Sequence, residues 1–300
     1  MSLTSTSAVD PAVRFEPALM RRKLSGTVFY GLCVMAVGIL LLALVMLLAD
    51  VLVRGLPWLD WDFMTGGPSR RPANAGILPA LVGSLMVGII VGVVTFPVGI
   101  AAAIYLNEYA SDSWVNRVLQ TNISNLAGVP SIIYGILGLA VFVRLMELGS
   151  TILSAGLTLT LLILPVVIIA SIEALRAVPN AQREGAYALG ATRWQMVRGS
   201  VLPAASPGIM TGIILAMARA IGEAAPLILI GAFAFVTFLP NPFTGSYTVL
   251  PIQIYDWARR PQDDFAGIAA AAIIVILVLM LVLNALALIL RARLSRHIQW

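Results

Sequence analysis

Residues 173–208 read EALRAVPNAQREGAYALGATRWQMVRGSVLPAASPG and lie between two long apolar runs. This segment is much longer than a connector between two membrane spans needs. Pro179 is followed by Asn180, a favoured N-cap residue, which predicts a helix that starts at Asn180. The helix is expected to run to Leu189 and to stop at Gly190, because glycine readily adopts the left-handed conformation that ends many helices.

A second helix is predicted directly after that glycine. Thr192 and Gln195 have the spacing of a capping box, in which each side chain accepts a hydrogen bond from the backbone N–H of the other residue. This second helix is expected to end near Pro203. Residues 178–203 are therefore predicted to form an elbow of two short helices joined at Gly190.

The first elbow helix has one face of small and smooth residues. At 3.6 residues per turn, this face collects Ala181, Gly185, Ala188 and Leu189. Arg183 and Glu184 bracket it with charge. Such a helix suits insertion into a groove on another protein, and it equally suits a position flat on the membrane surface. The residues alone leave both interpretations open.

The composition of the chain is typical of an integral membrane protein. Of its 300 residues, 60% are hydrophobic and 11% are charged, and the mean hydropathy is +0.96. Soluble domains are about a quarter charged. Six runs are long enough to cross a hydrocarbon core of about 30 Å as helices: residues 26–49, 77–106, 118–143, 151–172, 207–236 and 267–290. An all-α integral membrane protein with six transmembrane helices is predicted.

The positions of lysine and arginine orient these spans, because both residues are retained on the cytoplasmic side. Of the 19 such residues, 12 fall on the side of the N-terminus, 6 fall on the opposite side, and Arg219 lies inside a span. Both termini are therefore predicted to be cytoplasmic. The formal net charge of +5 follows from this topology. The positive charge therefore does not indicate a nucleic-acid partner. The expected partner of these spans is the lipid bilayer.

The fifth run contains two charged residues. In ARAIGEAAP, residues 218–226, Arg219 and Glu223 are one helical turn apart, so they are expected to share a face and to be able to pair. Charges within a bilayer face a bundle interior or a water-filled path. A helix break at Pro226 favours a path, and a purely structural ion pair is the alternative. Close helix packing is expected at Gly208, Gly212 and Gly222.

The third run has a break of its own. NISNLAGVPS, residues 122–131, places polar residues, a glycine and a proline amid apolar residues. A helix that restarts after Pro130 points its dipole and its free N–H groups at the contents of a cavity, which suits an anion. Together with one fixed cation, this break predicts an anionic substrate. The candidate path residues are Asn125, Ser131, Arg219 and Glu223.

The segment EGAYALGATRWQMVRGSVLP, residues 184–203, resembles the EAA motif of ABC-importer permeases. The positions that match in spacing are Glu184, Ala186, Gly190, Leu202 and Pro203. Gly185 stands where alanine is usual, and Ser200 stands where isoleucine is usual. In that family the elbow docks into an ATPase subunit and transmits its closure. The resemblance therefore assigns ATPase coupling to Glu184, Gly185, Ala186 and Gly190.

Three further segments resemble one subfamily, the phosphate-specific ABC permeases, and its A-type subunit more than the C-type. They are AAIYLNEYA (102–110), NLAGVPSIIYGILGLAVFV (125–143) and ILAMARAIGEAAPLI (214–228). The resemblance implies a type I ABC-importer permease fold in a bacterial cell (inner) membrane. It also implies three partners: a second, C-type permease subunit, an ATP-binding subunit dimer and an extracytoplasmic phosphate-binding protein.

The expected protein is a permease subunit that forms half of the path for inorganic phosphate, without catalytic residues, metal or cofactor. The chain lacks a G-x-x-x-x-G-K-[ST] loop, so ATP hydrolysis is expected of a partner. A permease for another oxyanion or small solute is the alternative. An intramembrane enzyme is disfavoured because one Cys and one His supply neither a metal cluster nor a nucleophile with its base. The expected parts are a tail (1–25), the first span with an outer loop (26–75), the permease domain (76–291) and a second tail (292–300).

Overall fold

The structure is a computed structural model that describes residues 19–233, 235–243 and 245–295. Within these ranges the regular elements are helices, and no strand is present. The prediction of an all-α chain is therefore confirmed. Residues 1–18 of the predicted N-terminal tail and residues 296–300 of the predicted C-terminal tail lie outside the described residues.

The chain divides into two compact units, residues 1–50 and residues 51–300. The described part of the first unit belongs to helix α1 (Leu19–Gly55), which contains the predicted span 26–49. The most apolar window of this helix has a mean hydropathy of 3.1, as a membrane span requires.

The second unit contains the other helices. In chain order they are α2 (Trp61–Thr65), α3 (Leu78–Ile104), α4 (Trp114–Ala127), α5 (Ser131–Gly138), α6 (Ile152–Arg176), α7 (Asn180–Ala188), α8 (Arg193–Met196), α9 (Leu202–Gly222), α10 (Ala225–Ile230), α11 (Leu250–Ala258) and α12 (Asp263–Ser295). Short 3₁₀ helices cover Leu56–Trp58 and Pro72–Asn74. A π-helical segment continues α3 (Tyr105–Tyr109), another continues α5 (Leu139–Leu145), and a third joins α8 to α9 (Val197–Val201).

Helix α6 is the most buried of the long helices, and both α3 and α9 pack against it. Small residues set how closely they approach. A Cβ added to Gly208 of α9 would lie 2.8 Å from the Cβ of Ala174, and one added to Gly212 would overlap the Cβ of Ala170. Close packing at these two glycines, as the sequence predicts, is confirmed.

Among the described residues, five helical segments are long and apolar enough to cross a membrane. They are Arg22–Trp58, Leu78–Tyr109, Ile152–Arg176, Arg193–Gly222 and Asp263–Arg293. The third predicted span, over 118–143, is a pair of helices, Trp114–Ala127 and Ser131–Leu145, that are bent by 102°. The second member of the pair is about 22 Å long at 1.5 Å per residue, which is shorter than a hydrocarbon core of about 30 Å. The third span is therefore a bent pair of helices, interrupted at the break that the sequence predicts.

Two predicted helix ends are wrong. The second elbow helix does not end near Pro203, because one helix runs on from Arg193 to Gly222. The π-helical turn before Pro203 is wider than an α-helical turn and takes up the proline ring without a break. The fifth span then ends at Gly222 and not at residue 236. In a continuous helix, Pro226 could not donate to the carbonyl of Gly222, and its ring would clash with that carbonyl.

Candidate functional site

A hydrogen bond across the bend holds the break in the third span. Helix α4 ends at Ala127, Pro130 has an extended backbone, and α5 starts at Ser131. The hydroxyl of the buried Tyr134 donates to the carbonyl of Leu126 at 2.8 Å. The predicted restart of the helix after Pro130 is therefore confirmed, and the first N–H groups of α5 face the bend.

The helix of the fifth span ends between its two charged residues. Helix α9 ends at Gly222, Glu223 is extended with φ −83° and ψ 122°, and α10 begins at Ala225. Arg219 lies in the last turn of α9, whereas Glu223 lies beyond the end of that helix. The expectation that both residues lie within one helix is wrong, because Glu223 follows the last helical residue. The ion pairs found among the described residues do not include this pair.

The two breaks lie against each other. A Cβ added to Gly135 of α5 would lie 2.7 Å from the Cα of Pro226 and 3.0 Å from its carbonyl oxygen. A glycine is therefore required for α5 and α10 to pack at this distance. Arg219 lies in the last turn of α9, directly before the break that leads to Pro226. The cation of the fifth span is therefore close along the chain to the point where the two breaks pack.

The four predicted path residues are divided equally between the breaks. Asn125 is exposed in the last turn of α4, and Ser131 is the half-buried first residue of α5. Arg219 is exposed, and Glu223 is half-buried. Together they offer one cation, one carboxylate and several neutral donors. Such a set can hold an anion that itself carries a proton, because the carboxylate accepts that proton in a hydrogen bond.

The first elbow helix begins at Asn180 as predicted, and its last helical residue is Ala188, one position before the predicted Leu189. Pro179 occupies the cap position, and Asn180 is the first helical residue of α7. Gly190 has φ +79°, a conformation that strongly favours glycine. The N–H of Ala191 donates to the carbonyl of Ala186 at 3.1 Å, as in the C-terminal motif that ends many helices. The predicted stop at Gly190 is confirmed.

The predicted capping box is present at the start of the second elbow helix. The N–H of Thr192 donates to Oε1 of Gln195 at 2.8 Å, and the N–H of Gln195 donates to Oγ1 of Thr192 at 3.4 Å. This reciprocal pair fixes the turn between the two elbow helices.

The small-residue face of α7 is open. Its members are all exposed: Ala181, Gly185, Ala188 and Leu189. Leu189 is 90% exposed, and a Cβ added to Gly185 would meet nothing within 4 Å. Glu184 beside this face is also exposed, whereas Ala186 is half-buried and packs against the core. The motif residues therefore divide into an outward pair, one inward anchor and the turn at Gly190.

One buried ion pair is not predictable from the sequence. Oε1 of Glu108, in the π-helical segment that follows α3, lies 2.7 Å from Nη2 of Arg183 on α7. The two side chains are 5% and 16% exposed, respectively. The only sequence signal is a carboxylate at the end of a long apolar run. Its partner follows 75 residues later, so no spacing rule connects them.

A family model described as "Binding-protein-dependent transport system inner membrane component" matches residues 95–296. The chain belongs to this family. It is 34% identical over 269 residues to the phosphate transport system permease protein PstA of Mycobacterium leprae (strain TN), covering 87% of each chain. It is 34% identical over 273 residues to PstA of Yersinia pestis, covering 84% of this chain and 90% of that one.

Solved ABC importers share the fold of this permease. A chain of the bacterial alginate ABC transporter in complex with an alginate pentasaccharide-bound periplasmic protein superimposes with a TM-score of 0.66 at 18% identity. The similarity covers 93% of this chain and 98% of that one. A chain of the inward-facing MetNI methionine ABC transporter superimposes with a TM-score of 0.54 at 21% identity, covering 75% and 95%. The predicted type I permease fold is confirmed.

Membership of the family settles the class of the protein. The permease is a multi-pass protein of the bacterial inner membrane and a transport subunit of an ATP-driven importer. It is not an enzyme, since ATP hydrolysis in such importers belongs to separate subunits. The family implies a partner permease, an ATPase and a substrate-binding protein.

Proposed function

We propose that this permease is the A-type subunit of a phosphate importer and that it forms half of the path for inorganic phosphate. The observation that carries the proposal is the similarity to three proteins named PstA, at 32–34% identity over 84–87% of the chain. A C-type permease completes the path. An ATP-binding dimer drives transport, and an extracytoplasmic phosphate-binding protein delivers the substrate.

The two helix breaks form the substrate site in this proposal. Arg219 supplies the positive charge, while the hydroxyl of Ser131 and the first N–H groups of α5 supply neutral donors. Asn125 adds an amide on the other side of the bend. Phosphate near neutral pH still carries a proton, so Glu223 accepts a hydrogen bond from its P–OH group. The absence of an ion pair between Arg219 and Glu223 among the described residues supports this division of roles.

The elbow is the coupling element of the proposal. Within a permease domain over residues 76–291, the open face of α7 docks into a groove of the ATPase. Gly185 leaves that face flat, and the exposed Leu189 gives it an apolar contact. Glu184 lies at its edge, Ala186 anchors the helix and Gly190 sets the turn. The elbow and both termini lie in the cytoplasm, which the excess of lysine and arginine on that side supports.

Transport by the complete complex tests the proposal. The permease pair, the ATPase dimer and the binding protein are reconstituted in proteoliposomes, and uptake of labelled phosphate is measured together with ATP hydrolysis. We expect phosphate-loaded binding protein to stimulate hydrolysis and to drive uptake that excess sulfate does not suppress. Stimulation by sulfate or by another small solute, with none by phosphate, would reassign the substrate.

A further inference from the structure

The buried ion pair between Glu108 and Arg183 is bidentate. Oε1 of Glu108 accepts from Nη2 of Arg183 at 2.7 Å, and Oε2 accepts from Nε at 3.3 Å. The side-chain amide of Asn107 donates to the same Oε1 at 2.7 Å. A planar guanidinium that meets a carboxylate through two atoms fixes orientation as well as distance. Helix α7 is therefore held rigidly to the π-helical segment that follows α3.

The same guanidinium closes the end of the fourth span. Nη1 of Arg183 donates to the carbonyl of Val178 at 2.8 Å, and Nη2 donates to the carbonyl of Leu175 at 2.9 Å. The last carbonyls of a helix lack partners within the helix and carry its negative dipole end, so a cation is well placed there. Arg183 therefore joins three segments: the end of the second span, the end of the fourth span and α7.

A second contact attaches the other elbow helix to the same segment. The guanidinium of Arg193, the first residue of α8, lies 5.3 Å from the ring centre of Tyr109, which directly follows Glu108. This is a cation–π distance. Both helices of the elbow therefore hold the segment Tyr105–Tyr109, one through a buried ion pair and one through an aromatic ring.

The nearby pair of Arg176 and Glu173 shows what distinguishes the buried one. Its atoms are 3.1 Å apart, but the two side chains are 51% and 64% exposed. Exposed pairs of this kind contribute little to stability or rigidity. In the buried pair, loss of either partner leaves the other charge unpaired and out of water. Substitution of either residue is therefore expected to disrupt the whole contact.

We propose that Glu108 and Arg183 are a positioning pair that makes the second and fourth spans move with α7. When an ATPase bound at the elbow closes and moves α7, the two spans then move with it. The elbow does not bend relative to the spans. Packed and hydrogen-bonded contacts of this kind can carry coupling between distant sites. The inference rests on the proposed docking of the ATPase on the exposed face of α7. Arg183 lies on the opposite, inward side of the same helix.

The test compares variants of the complete complex in proteoliposomes. Glu108→Gln keeps the shape of the side chain and removes its charge, and Arg183→Lys keeps the charge and removes the fork. We expect both to assemble, with the ratio of phosphate-stimulated to basal ATP hydrolysis lowered by on the order of tenfold, a size typical of coupling between sites. Phosphate taken up per ATP hydrolysed falls in parallel. The double variant Glu108→Gln/Arg183→Gln is no worse than either single variant, because the pair acts as a unit.

Two further variants make the outcome decisive. Glu173→Gln breaks the exposed pair and is expected to keep the native ratio. Gly185→Trp places a bulky group on the docking face and is expected to abolish the stimulation. If Gly185→Trp transports normally, the proposed docking is wrong. If it is inactive while Glu108→Gln and Arg183→Lys keep the native ratio, the docking stands and the positioning pair is overturned. Failure of both pair variants to assemble also overturns it, because the pair would then serve folding alone.

Discussion

Arg219 and Glu223 show what a sequence reveals about single residues and what it hides. Both charges stand out in the sequence because they interrupt an apolar run, and charge within a membrane span points to a path or a pair. Their relation does not follow from their spacing. Pro226 ends α9 at Gly222, so the rule that places residues four apart on one face does not reach Glu223.

The proposed phosphate site predicts distinct effects for these two residues. Arg219→Ala removes the proposed charge-assisted contact with the anion, and such a contact contributes about 1.5–3 kcal/mol, so uptake of phosphate is expected to fall by roughly 10- to 150-fold. Arg219→Lys keeps the charge but loses the planar fork, so an intermediate loss is expected. Glu223→Gln replaces an acceptor for the P–OH group with an NH₂ donor that suits sulfate as well. It is expected to reduce the preference for phosphate over sulfate.

Competition between labelled phosphate and excess sulfate in proteoliposomes measures both effects. Asp112→Asn is a matched control for the loss of one carboxylate, because the side chain of Asp112 is 97% exposed and precedes α4, whose other end forms the bend. Unchanged selectivity in Glu223→Gln would mean that the binding protein alone selects phosphate over sulfate. Full uptake by Arg219→Ala would remove Arg219 from the path.

Between elements, the sequence locates the breaks but not their geometry. Gly128 and Pro130 place the interruption of the third span correctly, because both residues disfavour a continuous helix. The bend of 102° depends on contacts made later in the chain and across the bend. One is the hydrogen bond from Tyr134 to Leu126, and the other is the packing of Gly135 on Pro226. Neither follows from periodicity.

Gly135→Ala is expected to disturb this packing. The new Cβ would lie 2.7 Å from a backbone atom of Pro226, so α5 or α10 has to shift. Overpacking of this kind costs about 1–3 kcal/mol. We expect a lower melting temperature of the purified complex and a reduced rate of phosphate uptake.

Gly199→Ala is the matched control, since a Cβ at Gly199 would meet nothing within 4 Å and alanine favours a helix. It is expected to keep the native melting temperature. An unchanged melting temperature and rate in Gly135→Ala would mean that α5 and α10 have room to separate.

For the whole molecule, composition and charge predict the class, while the contacts between spans have to be seen. Apolar runs and the counts of lysine and arginine give a multi-pass helical protein, and glycines mark close helix packing. Lipid is as apolar as the helix surfaces, so hydrophobicity does not select which helices meet. The contact of Glu108 with Arg183 and that of Gly135 with Pro226 therefore lie beyond the reach of sequence patterns.

The orientation of the molecule is the last prediction, and the length of one helix makes it testable. The helix from Arg193 to Gly222 has 30 residues. At 1.5 Å per residue it is about 45 Å long, so one end must leave a hydrocarbon core of about 30 Å.

Gly199 lies near its first end, and Gln262 is exposed in the loop before α12. Cysteines at these two positions, in a Cys33→Ser background that removes the single native cysteine, report which end faces outward. With both termini in the cytoplasm, an impermeant thiol reagent added to intact cells labels Gln262→Cys and spares Gly199→Cys until the membrane is permeabilised. Labelling of Gly199→Cys alone on intact cells would invert the topology and move the elbow away from any cytoplasmic ATPase.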